Sequence, residues 1–128
     1  MNDKRSIGKK QKTLLIADDE PNIRLLVRRT FEKEYVVLEA ANGKEAVDLA
    51  LRDKPDVIFM DVMMPQTDGI TALNTIRADK RTSAIPVIML TGVGFDLNEQ
   101  LANSLGAKAY LRKPVTPEDL ARAVSKVI

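Results

Sequence analysis

The chain has no cysteine and no histidine. The first absence excludes disulfides, thiol catalysis and cysteine-ligated metals. The second removes the commonest metal ligand and the commonest general base. Chemistry here must run on carboxylates, hydroxyls, lysine and a hard cation. No apolar run approaches the ~20 residues that a membrane-crossing helix needs, and the N-terminus lacks the apolar core of a signal peptide. A cytoplasmic protein with no membrane contact is the expectation. What is present, 128 residues with 45% hydrophobic and 30% charged side chains, suits one globular domain with its own core.

The formal charge of +2 is unevenly placed. Residues 1–12 carry Lys4, Arg5, Lys9, Lys10 and Lys12 against Asp3, so this stretch is +4 and the remainder is −2. Residues 1–12 read as a basic, flexible tail ahead of a domain at 13–128. With few charges and no aromatics the tail gives little support to a nucleic-acid or membrane contact.

From Thr13 onward short apolar runs alternate with amphipathic segments. Leu14–Ala17, Tyr35–Glu39, Val57–Met60, Val87–Leu90 and Ala109–Leu111 read as strands. Three are continuous apolar runs, as parallel strands buried on both faces require. The second, between charged flanks, reads as an edge. The first helix follows Pro21, with Ile23, Leu26, Val27 and Thr30 on one face and Arg24, Arg28 and Arg29 opposite. The second starts at Asn42, with Glu45 at capping-box spacing and Ala46, Leu49 and Ala50 inward. The third follows Asp68-Gly69 with Ile70, Leu73 and Ile76. The fourth has Asp96 and Glu99 at capping-box spacing, turns Leu97, Leu101 and Leu105 inward and stops at Gly106; Phe95 packs at its start. The fifth has Thr116 as cap and Pro117 first, with Leu120, Ala123, Val124 and Val127 inward. It ends at the C-terminus, so no output or DNA-binding domain is expected. Such alternation predicts an α/β fold, a doubly wound parallel sheet with helices on both faces.

In such sheets, functional groups gather beyond the C-terminal ends of the strands. Here the first strand ends in Asp18-Asp19, the third in Asp61, the fourth in Thr91-Gly92, and Lys113-Pro114 follows the fifth. A carboxylate at the tip of a buried strand is costly without a partner, and three together repel. A divalent cation resolves this. All-oxygen ligation without histidine or cysteine points to Mg²⁺, with Mn²⁺ also suitable. With the cation bound, the pocket tolerates a phosphoryl group. Lys113 can neutralise one of its oxygens, Thr91 can bond another, and Asp61 keeps an oxygen free to attack phosphorus.

Asp18-Asp19, the segment Asp61-x-x-Met64-Pro65-x-x-Asp68-Gly69, Thr91, Gly106-Ala107-x-x-Tyr110-Leu111 and Lys113-Pro114 resemble one family jointly. That family is the receiver domain of two-component response regulators, in its stand-alone, chemotaxis-type form. The resemblance spans residues 13–128. It implies a flavodoxin-like sheet of order 2-1-3-4-5 with five helices. It also implies a phosphoacceptor at Asp61 and Mg²⁺ held by Asp19, Asp61 and the Met63 backbone carbonyl, with Asp18 acting mostly through water. The Lys113-Pro114 bond would be cis. Thr91 and Tyr110 would form a switch read out on the fourth helix, fifth strand and fifth helix, whose surface carries Asn98, Gln100, Asn103, Arg122 and Lys126. Such a domain is a signalling module rather than an enzyme with a separate substrate, although it catalyses its own phosphorylation and dephosphorylation. Its partners would be a sensor histidine kinase or histidine phosphotransfer protein, since this chain has no histidine of its own, and a downstream protein.

Two departures and three alternatives bear on this reading. Gly92 stands where many receivers have alanine, and with Gly94 it leaves space and loosens the loop. The resemblance implies that the two positions flanking the phosphoryl site, Met63 and Val93, tune phosphoryl access; both are apolar, so slow self-dephosphorylation is expected. An aspartyl phosphatase usually carries a second aspartate two residues after its nucleophile, where this chain has Met63. A flavin-binding version of the fold needs a phosphate cradle where Asp18-Asp19-Glu20-Pro21 would repel it. A receiver-like module that binds without phosphorylation is disfavoured by the intact acids, Thr91 and Lys113.

Overall fold

The computed structural model describes residues 11–92 and 99–128. The elements run β1 (Lys12–Ala17), α1 (Pro21–Phe31), β2 (Tyr35–Ala40), α2 (Gly43–Asp53), β3 (Val57–Asp61), α3 (Gly69–Ala78), β4 (Val87–Thr91), α4 (Glu99–Ser104), β5 (Ala109–Arg112) and α5 (Pro117–Val127). The five strands are all parallel, in the order β2-β1-β3-β4-β5. This is the doubly wound, flavodoxin-like sheet expected from the sequence, with β2 at one edge. One boundary differs. β1 begins at Lys12, which pairs with Tyr35, so Lys12 belongs to the sheet and not to a tail.

Alternation along each strand builds two cores. Leu15, Ala17, Ile58, Met60, Val87 and Met89 face one side, where they meet Ala46 and Ala50 of α2, Leu73 and Ile76 of α3, and Ala102 of α4. Leu14, Ile16, Val57, Phe59, Ile88 and Leu90 face the other, against Val27 and Phe31 of α1 and Leu120 and Val124 of α5. β1, β3 and β4 are therefore apolar at nearly every position, because neither face meets water. Burying each of these larger side chains contributes roughly 1.5–3 kcal/mol.

The helix starts are set locally. Asn42 accepts from the Glu45 N–H at 2.8 Å, and Asp68 accepts from the Thr71 N–H at 2.8 Å. Thr116 and Asp119 form a reciprocal capping box, each side chain accepting the other's N–H at 3.0 Å. Thr116→Ala is expected to cost about 1 kcal/mol, read as a lower midpoint in urea with an unchanged slope. Gly106 ends the α4 region at φ 97, a left-handed conformation suited to glycine, and the Lys113-Pro114 bond is cis.

The assigned inward face of α4 needs correction. Leu101 is 39% exposed, while Ala102 is buried and Leu105 partly so. A short helix lying over the edge of a sheet turns only a narrow stripe inward, and Ala102 and Leu105, three residues apart, supply it. Leu97, Phe95 and the Asp96 cap lie outside the described residues, as do Asn98, Val93, Gly94 and the chain before Gln11. No helix among the described residues is long and apolar enough to cross a membrane.

Candidate functional site

Strand register brings the acids together. β1 and β3 pair with Ala17 opposite Met60, so Asp18 and Asp61 leave adjacent strands side by side. Asp61 in turn lies opposite Leu90 of β4, and Thr91 lies opposite Arg112 of β5. The next residue, Lys113, donates its backbone N–H to the Thr91 carbonyl at 2.7 Å. The strand ends thus step across the sheet and converge on one crevice.

Asp18, Asp19 and Asp61 can each place one carboxylate oxygen within 4.8 Å of the others. Asp18 is fully buried and Asp61 is 4% exposed, whereas Asp19 faces solvent. Lys113 reaches in from the other side. Its Nζ lies 2.9 Å from Asp18 Oδ2 and 3.5 Å from both Asp61 Oδ2 and Glu20 Oε1. The contact with Asp18 Oδ2 is an ion pair by distance rather than an aligned hydrogen bond. Asp18 Oδ1 accepts from the Glu20 N–H at 2.9 Å.

Burial pushes the Asp61 carboxyl up to about 7, and the neighbouring Asp18 and Asp19 charges push the same way; Lys113 and the Met63 N–H only partly offset them. Asp18 is raised too, chiefly by burial, against the pull of the Glu20 N–H and Lys113. Burial alone would lower the Lys113 amine, but Asp18, Asp61 and Glu20 outweigh it and hold the ammonium above its usual value. One lysine leaves three carboxylates under-neutralised. The donor set is hard oxygen throughout, so it fits a Mg²⁺-type cation.

Thr91 is fully buried, and its hydroxyl has no hydrogen-bond partner among the described residues. A buried hydroxyl left unpaired is costly and calls for an explanation. By alternation Thr91 shares the α2–α3–α4 side of the sheet with Met89 and with Tyr110, which pairs opposite Met89 and is half-buried. The two residues expected to act as a switch therefore lie diagonally on one face of neighbouring strands.

Other supports were not visible in the sequence. Arg24, read as a solvated residue of α1, donates to the Asp18 carbonyl at 2.7 Å and to Glu39 at 3.1 Å. Arg28 joins Glu39 at 2.7 Å and holds that carboxyl below its ordinary range despite partial burial. This α1–β2 clamp fixes the backbone that carries Asp18. On the other side, Gly69 opens α3 directly behind Asp61, and Gly43 opens α2 against Thr67 of the β3–α3 loop. Gln66 in that loop adopts φ 66. Val62 and Met64 are buried there, and Met63 between them is 65% exposed. A cleft of about 370 Å³ is lined by Val62, Met63, Met64 and Asp68 of the loop that follows Asp61 and by Ile70 and Thr71 at the start of α3.

Comparison with known proteins agrees with this geometry. Residues 14–125 match the response regulator receiver domain family. The chain is 38% identical over 116 residues to protein PilH of Pseudomonas aeruginosa, spanning 90% of this chain and 96% of PilH. It is 39% identical to the transcriptional regulatory protein ResD of Bacillus subtilis, over 90% of this chain but 47% of ResD. The structure of the chemotaxis protein CheY4 of Vibrio cholerae superposes with a TM-score of 0.83 at 30% identity, covering 93% of this chain and all of that one. The receiver domain of the sensor histidine kinase PA1611 of Pseudomonas aeruginosa, solved with a magnesium ion in its active-site cleft, superposes with a TM-score of 0.82 at 28% identity, covering 92% of this chain and 98% of that one. With acids, hydroxyl and lysine gathered at the strand ends of this sheet, and with that match over nearly its whole length, the chain belongs to the response regulator receiver domain family.

Proposed function

We propose that Asp61 accepts a phosphoryl group from the phosphohistidine of a sensor histidine kinase or histidine phosphotransfer protein. An Asp61 carboxylate oxygen attacks phosphorus, the P–N bond breaks, and the imidazole leaves on the donor with its electron pair. The observation that carries this reading is the setting of Asp61, a nearly buried carboxyl with two further acids and Lys113 within reach. Asp19, Asp61 and the Met63 carbonyl, with Asp18 behind them, would hold Mg²⁺. When bound, the cation offsets the charge of the acids and of the incoming phosphoryl oxygens.

The chain's own groups then divide the work. Lys113, now ion-paired with Asp18 and near Asp61, turns to a phosphoryl oxygen. The Thr91 hydroxyl, buried and unpartnered among the described residues, donates to another. Tyr110 follows on the same face of the sheet, and the surface of α4, β5 and α5 changes for a downstream partner. This is a two-state element biased by local charge. The domain thereby catalyses its own phosphorylation and, with apolar Met63 beside the site, loses the group slowly. We place this chemistry in the cytoplasm, where ATP-charged kinases supply phosphohistidine.

The test is incubation with Mg²⁺ and acetyl phosphate, followed by intact mass. One phosphoryl adduct, lost in base and kept in acid, is expected. Repeated turnover of the donor with no lasting adduct would favour a hydrolase, and no adduct with no turnover would leave only a binding module.

A further inference from the structure

Four of the five methionines lie among the described residues. Met60 and Met89 are fully buried and Met64 is 9% exposed, but Met63 is 65% exposed. The loop holds it outward. Val62 donates to the Leu90 carbonyl at 3.0 Å and accepts from the Gly69 N–H at 2.8 Å, and the buried side chains of Val62 and Met64 pin both flanks. The Met63 backbone N–H faces the Asp61 carboxyl, and Met63 also lines the cleft between the loop after Asp61 and the start of α3. An apolar thioether is thus held in solvent two residues from Asp61, on a backbone that contacts its carboxyl.

We propose that Met63 is a reversible oxidation site that sets how long Asp61 keeps its phosphoryl group; the second half of this rests on Asp61 being the phosphoacceptor. A peroxide supplies the oxygen. Its O–O bond breaks, one oxygen forms an S=O bond with the thioether, sulfur gives up two electrons, and the remainder leaves as water or an alcohol. Methionine sulfoxide is polar and is returned to the thioether by sulfoxide reductases. The change replaces a weak acceptor with a strongly dipolar oxygen two residues from Asp61. That oxygen can hold a water near the acyl phosphate far more firmly than the thioether, a weak acceptor, can. Hydrolysis of the acyl phosphate is therefore several-fold faster in the oxidised protein. Met60, Met64 and Met89 are shielded by packing.

The experiment treats the full chain with graded hydrogen peroxide and reads each methionine by peptide mass spectrometry, with Met1 on its own peptide. Met63 sulfoxide is expected at doses that leave Met60, Met64 and Met89 intact. Oxidation of Met63 no sooner than these three overturns the proposal. Loss of phosphoryl label is then timed with and without peroxide. The wild type should lose label several-fold faster after treatment, Met63→Leu should decay equally in both conditions, and Met63→Gln should decay faster than Met63→Leu without treatment. Equal decay of oxidised and untreated wild type overturns the regulatory half. If the untreated protein takes no label, the Asp61 reading fails instead, and the peptide map still decides whether Met63 is the oxidation site.

Discussion

Asp61→Asn protein is expected to take no phosphoryl group and, free of divalent cations at pH 8, to melt several degrees above wild type. The first result follows because an amide oxygen is a poor nucleophile and carries no charge for a cation. The second follows from the electrostatics of the crevice. The Asp61 carboxyl is raised from the ordinary 3.8 to about 7, by burial first and by Asp18 next. A carboxyl whose folded value lies above its unfolded value binds its proton more tightly in the folded state. Below pH ~4 it costs the fold nothing. As pH rises from about 4 to about 7 stability is lost progressively, and above 7 the full cost is present. Raising the carboxyl that far corresponds to at most roughly 4 kcal/mol. Asparagine has the same shape without the charge. The gain in melting temperature should be largest near pH 8 and vanish towards pH 4, and Mg²⁺ should stabilise wild type more than the variant. Equal melting of the two proteins at pH 8 in a chelator would contradict the account of the crevice.

Gly69→Ala is expected to be as damaging as loss of a large core side chain, about 3–5 kcal/mol. A Cβ there would sit 1.9 Å from the Asp61 carbonyl oxygen and 2.8 Å from its carbon. Both are backbone atoms, so either α3 or the end of β3 must move. Any movement displaces Asp61 itself, and misplacing a reacting group by about 1 Å can cost on the order of 10²-fold in rate. Phosphorylation by acetyl phosphate should therefore fall even in protein that remains folded. Gly92→Ala supplies the contrast. Among the described residues a Cβ at Gly92 meets nothing within 4 Å, so the stability of Gly92→Ala should stay within about 0.5 kcal/mol of wild type. Urea unfolding of the two variants side by side checks the pair; similar losses would show that crowding at Asp61 is not the cause.

The legible parts of this molecule are those that local rules govern. Continuous apolar runs marked β1, β3 and β4 because both sheet faces are covered. Asn42, Asp68 and Thr116 marked helix starts because a cap satisfies N–H groups two or three residues away. The convergence of Asp18, Asp61, Thr91 and Lys113 was readable because strand ends in a parallel sheet lie on one edge. Supports made by distant partners were not readable. Nothing near Arg24 in sequence shows that it will hold the Asp18 carbonyl, because its other partner, Glu39, arrives from β2. Gly43 looks like an ordinary first residue of a helix until Thr67 packs against it. Lys54 at φ 45 and Gln66 at φ 66 occupy conformations more usual for glycine or asparagine, so residue type gave no warning. Leu101 obeyed the helical period yet faces outward, since how much of α4 touches the sheet depends on where that helix lies.

The most direct test of the central claim is to locate the phosphoryl group. Protein treated with acetyl phosphate and Mg²⁺ is reduced with borohydride, which converts an aspartyl phosphate to homoserine, and its peptides are sequenced by mass spectrometry. The account predicts homoserine at position 61 and nowhere else, absent in Asp61→Asn. Homoserine at Asp18, at Asp19 or at an acid outside the crevice, or none in protein that carries a phosphoryl adduct, would contradict it.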